Sequence, residues 1–172
     1  MFLDFIKNFL IEKIVKKKLS NVKMEASNKI IKTVGILIDG SLFSKKEALI
    51  KELVRNGIVA GNIKILVFRD EIKKNEVFNY QVFSPADLNW NATFNKPEIS
   101  DFVKQNFDLL INYYDVEKIP LLLVSQQSKA GFKVGFASID ERLNHFIISI
   151  NTDNYTIFVN ELFKYLKLFN KI

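Results

Sequence analysis

The chain has 172 residues, 48% hydrophobic and 13% aromatic, which is enough for one domain with a full core, much of it supplied by sixteen Phe. With no Cys and one His, it excludes disulfides, Cys-ligated zinc, iron–sulfur clusters and thiol catalysis, and leaves little material for multi-His metal sites or a Ser-His triad. The net charge of +6 is uneven: residues 1–33 carry +5 and the rest +1, so the basicity belongs to the leader and argues against a broad nucleic-acid-binding face on the domain.

Residues 2–15, FLDFIKNFLIEKIV, suggest an amphipathic helix. Phe2, Phe5, Ile6, Phe9 and Leu10 cluster on one side at helical spacing, with Asp4, Lys7, Asn8 and Glu12 elsewhere. Lys16, Lys17 and Lys18 follow. As a signal peptide the stretch is poor: charges interrupt its apolar part, the lysines come after it, and no small-residue cleavage site follows. No apolar run approaches the ~20 residues of a membrane span, and a Cys-free chain is compatible with the cytosol. We therefore expect a cytoplasmic protein, peripheral at the inner membrane surface in one reading of the leader. That reading is an interfacial helix on anionic lipid. In a second, the helix covers an apolar patch of its own domain or of a second copy. In a third it docks on a larger protein or RNA assembly. The contact residues in the last two cases and on lipid are Phe2, Phe5, Phe9, Lys13, Lys16, Lys17 and Lys18. Residues 20–28 read as a polar connector, dividing the chain into 1–28 and a single α/β domain at 29–172.

Residues 30–38 form a β-branched, apolar strand candidate ending in Asp39-Gly40-Ser41. Ser44 and Glu47 match a capping box for a helix whose Leu49, Ile50, Leu53 and Val54 share a face and which ends near Gly57. Residues 63–68 are the next strand. Residues 69–76 are a charged loop, and 77–83 a strand near an edge. The polar loop 84–96 carries Leu88, Trp90 and Phe94, which suggests that it folds back, with Trp90 as an anchor. Pro97 opens a helix to about Gln105. The run 107–111 suits a buried strand. The run 119–124 is strand or helix by periodicity. Only a helix over 116–128 leaves a crossover long enough for the next strand, 132–136, to lie parallel. Pro120 is tolerated in its first turn and Gly131 is its stop signal. Residues 138–143 are a turn or short helix, 145–150 a last strand and 155–169 a C-terminal helix with Ile157, Phe158, Leu162, Phe163, Leu166 and Phe169 facing the core. Repeated strand–helix alternation predicts an open, mainly parallel, Rossmann-like sheet with helices on both faces.

In such folds ligands sit beyond the carboxyl ends of the strands. That edge predicts a pocket of Asp39, Gly40, Ser41, Asn112, Tyr113 and Asp115, joined by Asp87, Asn89 and Trp90. Strand ends and helix caps use the same residue types without any ligand. No motif identifies a cofactor: residues 57–61 lack the Walker lysine, and Gly131 and Gly135 do not make G-x-G-x-x-G. His145 reads as an ordinary sheet-edge histidine.

VGILIDGS is similar to the opening strand of NYN/PIN-like nucleases, in which a strand-ending Asp helps bind a divalent metal. FDLLINYYD is loosely similar to their second acidic segment and LLLVSQQS to a third. Residues 125–128, Ser-Gln-Gln-Ser, hold no carboxylate there, and Leu42 stands where an Asn is frequent. Over 83–136 the pattern FSPADLNW…FDLLINYY…PLLLVSQQSKAGFKVGF resembles a family of short bacterial α/β proteins of unknown function. Its members have a Lys-rich N-terminal helix ahead of one α/β domain. The resemblance extends over nearly the whole chain and implies no activity. Residues 107–136 also resemble part of the N-terminal lobe of GT-B glycosyltransferases, whose second, nucleotide-sugar-binding lobe has no counterpart here. The expectation is a non-catalytic protein that binds a partner or a membrane through its leader. The alternative is a nucleotide- or small-molecule-binding protein, or an enzyme, that uses the carboxyl edge.

Overall fold

The computed structural model describes residues 1–21 and 24–172, and Asp4 by its backbone only; Val22 and Lys23, inside the expected connector, lie outside the described residues. The elements are α1 (Phe2–Leu19), β1 (Val34–Asp39), α2 (Lys46–Arg55), β2 (Ile63–Phe68), β3 (Gln81–Phe83), α3 (Pro97–Lys104), β4 (Leu109–Tyr113), α4 (Ile119–Gln127), β5 (Phe132–Phe136), β6 (Phe146–Ile148) and α5 (Tyr155–Leu168). The strands form one sheet in the order β3-β2-β1-β4-β5-β6, and every pairing is parallel. This is the Rossmann order, with its switch point between β1 and β4.

A parallel sheet needs cover on both faces, so its central strands read as apolar runs. Every residue of β1, β4 and β5 is buried. One face packs on α2 and α5 through Leu49, Leu53, Phe158, Leu162 and Leu166. The other packs on α1, α3 and α4 through Ile11, Val15, Leu19, Ile99, Phe102, Leu121 and Val124. The ambiguous run 119–124 is helical, and β4 and β5 are parallel neighbours, as the length of the crossover requires.

Several boundaries differ from the sequence reading. β1 begins at Val34 because the Ile31 amide donates to the Lys171 carbonyl, tying residue 31 to the C-terminal segment instead of the sheet. β3 begins at Gln81; Val77 is exposed, while the rings of Phe78 and Tyr80 pack on one another. Ser44 does not cap α2: the helix starts at Lys46 after Lys45 and has no side-chain cap. Its end is as expected. Gly57 adopts φ +105°, and the Gly57 and Ile58 amides donate to the Val54 and Leu53 carbonyls. Gly131 has a different job from the expected stop. α4 ends at Ser128 in an extended conformation, and a Cβ on Gly131 would stand 2.9 Å from Ser27 Cβ. Ile157, Phe169 and Trp90 are exposed, so they neither face the core nor anchor the loop; Leu88 does, at 2% exposure.

The two halves of α1 have opposite fates. Ile11, Val15 and Leu19 are in the core beside α4, whereas Phe2, Phe5 and Phe9 are 76%, 70% and 53% exposed. Ile11→Ala should therefore lower unfolding free energy by about 2–4 kcal/mol. Phe5→Ala should change it by less than ~0.5 kcal/mol. Urea denaturation of the two variants checks the contrast.

Candidate functional site

The carboxyl edge is where the fold places ligands, and here it is closed by an ion pair. Asp39 ends β1 and is 1% exposed. Its Oδ1 accepts from the Ser41 amide at 3.0 Å. Its Oδ2 lies 2.7 Å from Lys118 Nζ, close but off the hydrogen-bond axis, so the contact is chiefly ionic. Lys118 also donates to Asp70 Oδ2 at 2.8 Å and lies 5.2 Å from the centre of the Phe68 ring. Burial alone would lower the Lys118 pKa, but the Asp39 and Asp70 carboxylates outweigh it and raise it. Ser41 Oγ accepts from the Asp70 amide, which completes a closed set of contacts. A Cβ on Gly40 would stand 2.4 Å from Val67 Cγ1, so only glycine lets the turn lie this close to β2.

The six residues expected to share a pocket fall into three places. Asp39, Gly40 and Ser41 stay together at the ends of β1 and β2. Asn112 is inside β4, fully buried beneath α4. Tyr113 is also inside β4; its hydroxyl donates to the Thr152 carbonyl at 2.6 Å, and burial raises its pKa. Asp115 accepts from Thr152 Oγ1 at 3.0 Å, so with Tyr113 it fixes the turn before α5. None of the six lines any of the principal cavities among the described residues. Asp87 follows the carboxyl end of β3, but it caps its own turn and pairs with Lys96 instead of joining Asp39. Asp108 sits at the opposite, amino edge. Burial opposes its charge, but hydrogen bonds from Lys32 and Thr33 hold its carboxyl below the usual range. Among the described residues no group of three His, Cys, Asp or Glu is placed to hold a metal ion.

Beneath α4 runs a buried polar chain that the sequence reading missed. Tyr114 Oη and Ser125 Oγ are 2.6 Å apart, Ser125 Oγ donates to Asn112 Oδ1, and Asn112 Nδ2 donates to Asn144 Oδ1. Lys133, in the middle of this face of β5, donates to the Ser125 carbonyl at 2.7 Å. That carbonyl belongs to the last turn of α4, where intrahelical donors run out. Lys133 is thus a helix C-cap contributed by a neighbouring strand, and a cation suits that end of the helix dipole. Burial lowers its pKa to about 8.

On α1 the exposed apolar stripe shares one side with Lys13 and Lys16. At 100° per residue, Phe2, Phe5 and Phe9 centre about 130° round the helix from Ile11 and Val15. Lys13 and Lys16 continue the stripe toward the C-terminus. Lys13 Nζ lies 5.7 Å from the centre of the Phe9 ring, Lys16 is held by Glu12 at 2.6 Å, and Lys17 and Lys18 are exposed. No helix among the described residues is long and apolar enough to cross a membrane.

A family model described as a family of unknown function matches residues 7–169, from the first turns of α1 to the end of α5. The chain belongs to that family, DUF6913. No curated protein and no solved structure matches the chain. The family match takes in most of α1, in keeping with the packing of Ile11, Val15 and Leu19 in the core.

Removing Lys118 would leave Asp39 buried and unpaired. Lys118→Met should cost on the order of 3 kcal/mol, and Asp39→Asn in the same chain should restore part of it; thermal or urea melts of the single and double variants read this out. Lys133 sets a pH dependence. Its folded pKa of about 8 lies below the ordinary lysine value of 10.5, so the unfolded chain binds more protons between the two. Stability should therefore rise from about pH 8 toward pH 10, and Lys133→Met should remove that rise.

Proposed function

We propose that the protein is a non-catalytic α/β protein that attaches peripherally to an anionic lipid surface, at the cytoplasmic face of a membrane, through α1. The observation that carries this reading is the free stripe of Phe2, Phe5 and Phe9 on α1, turned away from the domain and continued by lysines. The sheet has already taken Ile11, Val15 and Leu19 from the same helix, so the stripe is not needed to complete the fold.

An interfacial helix buries its apolar face at the level where acyl chains meet headgroups and keeps its cations among anionic headgroups. The proportions fit. Residues 2–10 span about 14 Å at 1.5 Å per residue, and their three rings project to one side. Each phenylalanine transferred from water would contribute roughly 2 kcal/mol, and each lysine near an anionic surface about 1 kcal/mol. Lys13 and Lys16 follow the apolar segment on the same side of the helix, with Lys17 at its flank, so they would meet the headgroups as the rings insert. The near-neutral domain beyond residue 33 gives the attachment a direction, since the charge lies at one end of the molecule.

Co-sedimentation of the full chain with vesicles tests the reading. At 0.1 M salt the protein should pellet with vesicles containing a quarter phosphatidylglycerol and much less with pure phosphatidylcholine. Phe5→Glu with Phe9→Glu should weaken binding at least a hundredfold without altering the melt. Lys13→Glu with Lys16→Glu and Lys17→Glu should remove the preference for anionic lipid. A wild-type chain that stays in the supernatant at millimolar anionic lipid would sink the proposal. So would a soluble dimer that loses its second subunit in the double Phe variant.

A further inference from the structure

The sheet guards one of its edges and leaves the other open. At the β3 edge, the Arg69 amide donates to the Phe83 carbonyl on the β2 side, so alternation turns the Val82 carbonyl outward. Lys96 Nζ donates to that carbonyl at 3.2 Å. A lysine held on the main chain of an edge strand opposes the addition of another strand. At the opposite edge β6 pairs with β5 alone. The His145 amide donates to the Lys133 carbonyl, so the amides and carbonyls of Phe146 and Ile148 point outward. Residues 146–150 read Phe-Ile-Ile-Ser-Ile, with none of the lysine, proline or charge that guards an edge. An apolar edge of this kind is a template for a further strand.

α5 lies over this edge. The Phe146 ring is 4.6 Å from that of Tyr165 and 5.6 Å from that of Phe169. Between the helix and the strand runs a groove of about 380 Å³, lined by Ile147, Ile150, Ile157 and Glu161 among others. The outer side of α5 here carries Ile157, Glu161, Lys164 and Leu168, which at 100° per residue fall within an arc of about 60°. Ile157 and Leu168 are 50% and 67% exposed. Glu161 and Lys164 lie 3.2 Å apart between them. The spacing of this stripe, four, three and four residues, is the same in either direction. Turned end for end against a copy of itself, it sets Ile157 opposite Leu168 and Glu161 opposite Lys164. Apolar then meets apolar and each charge meets its opposite.

We propose that the protein forms a two-fold dimer in which β6 pairs antiparallel with β6 of a second copy and the two α5 helices lie side by side across the axis. Ile147 stands at the axis. Phe146 exchanges main-chain hydrogen bonds with Ile148 of the partner subunit, and Ile148 does so with the partner's Phe146. Strands ~4.8 Å apart bring the overlying helices toward the ~8–10 Å at which helices pack. Glu161 then faces the partner's Lys164, and Ile157 faces the partner's Leu168. This self-match selects a second copy of the chain: an unrelated strand could bond to β6 but would not complete a stripe that reads the same when reversed. The axis runs normal to the sheet, so both α1 helices lie on one face of the joined sheet.

Sedimentation equilibrium of the full chain without lipid, from about 1 to 200 µM, reads the assembly mass against 20.0 kDa for one chain. The wild type should be a dimer. Glu161→Lys sets lysine against the partner's Lys164 and should weaken association at least tenfold. Glu161→Lys with Lys164→Glu restores the match and should return association to within about threefold of wild type. These side chains are 37% and 58% exposed, so melts of the variants should be unchanged. Ile147→Cys, in a chain with no other Cys, should form a disulfide-linked dimer on mild oxidation, because side chains opposite one another in a non-hydrogen-bonded antiparallel pair are close. Val54→Cys on α2 should not. A wild-type chain that stays monomeric at 200 µM overturns the proposal. So does a dimer indifferent to Glu161→Lys, or one in which Ile147→Cys fails to cross-link. A dimer that Phe5→Glu with Phe9→Glu dissociates is held by α1 and overturns it as well.

Discussion

An all-parallel sheet has no face that can be left to water, and most of the molecule follows from that constraint. Six strands in the order β3-β2-β1-β4-β5-β6 present two apolar faces. α2 and α5 cover one; α3 and α4 are shorter and leave part of the other to be covered by α1. The N-terminal helix is therefore structural over its C-terminal half, where Ile11, Val15 and Leu19 enter the core. Its N-terminal half has no such duty and still carries three phenylalanines. A helix with one apolar face toward its own domain and another away from it has more hydrophobic surface than folding requires, and the surplus is what points to an external surface.

At the switch point the same economy of groups works against a ligand. Rossmann-like sheets bind at the carboxyl edge because strand ends diverge there and helix N-termini approach. Here Lys118, the residue before α4, puts its ammonium against Asp39 and Asp70, where a cationic ligand would otherwise sit. The resemblance of VGILIDGS to a metal-binding nuclease strand thus ends at a lysine. Asp39 has the burial and position such a strand would give it, but its counter-ion is covalently part of the chain. Beneath α4, Lys133 acts similarly by capping a helix that would otherwise bury a free carbonyl.

The architecture was largely legible because it follows from pattern and chain length. The alternation of strands and helices gave the class, and the residues between β4 and β5 forced the Leu121–Val124 run into a helix. Strand ends were less legible. Asn112 and Tyr113 look like loop residues after an apolar run, but they belong to β4, because polar side chains within a fully covered strand can be satisfied by a neighbouring helix, as Asn112 is by Ser125, or by a turn, as Tyr113 is by Thr152. The same ambiguity hid Lys133. In FKVGF a lysine reads as the solvent side of an alternating strand, yet β5 is central and has no solvent side. The pairing of Asp39 with Lys118 spans 79 positions of sequence and leaves no local signal.

The central claim concerns where the free face of α1 goes. The chain has no native Cys, so one introduced thiol carries one spin label. Labels at position 9 on α1 and at position 54, exposed on α2, report depth by their collision rates with oxygen and with a water-soluble relaxant. With saturating anionic vesicles, the label at position 9 should pass below the phosphate level while the label at position 54 stays in water. Equal water accessibility at both positions would contradict the account.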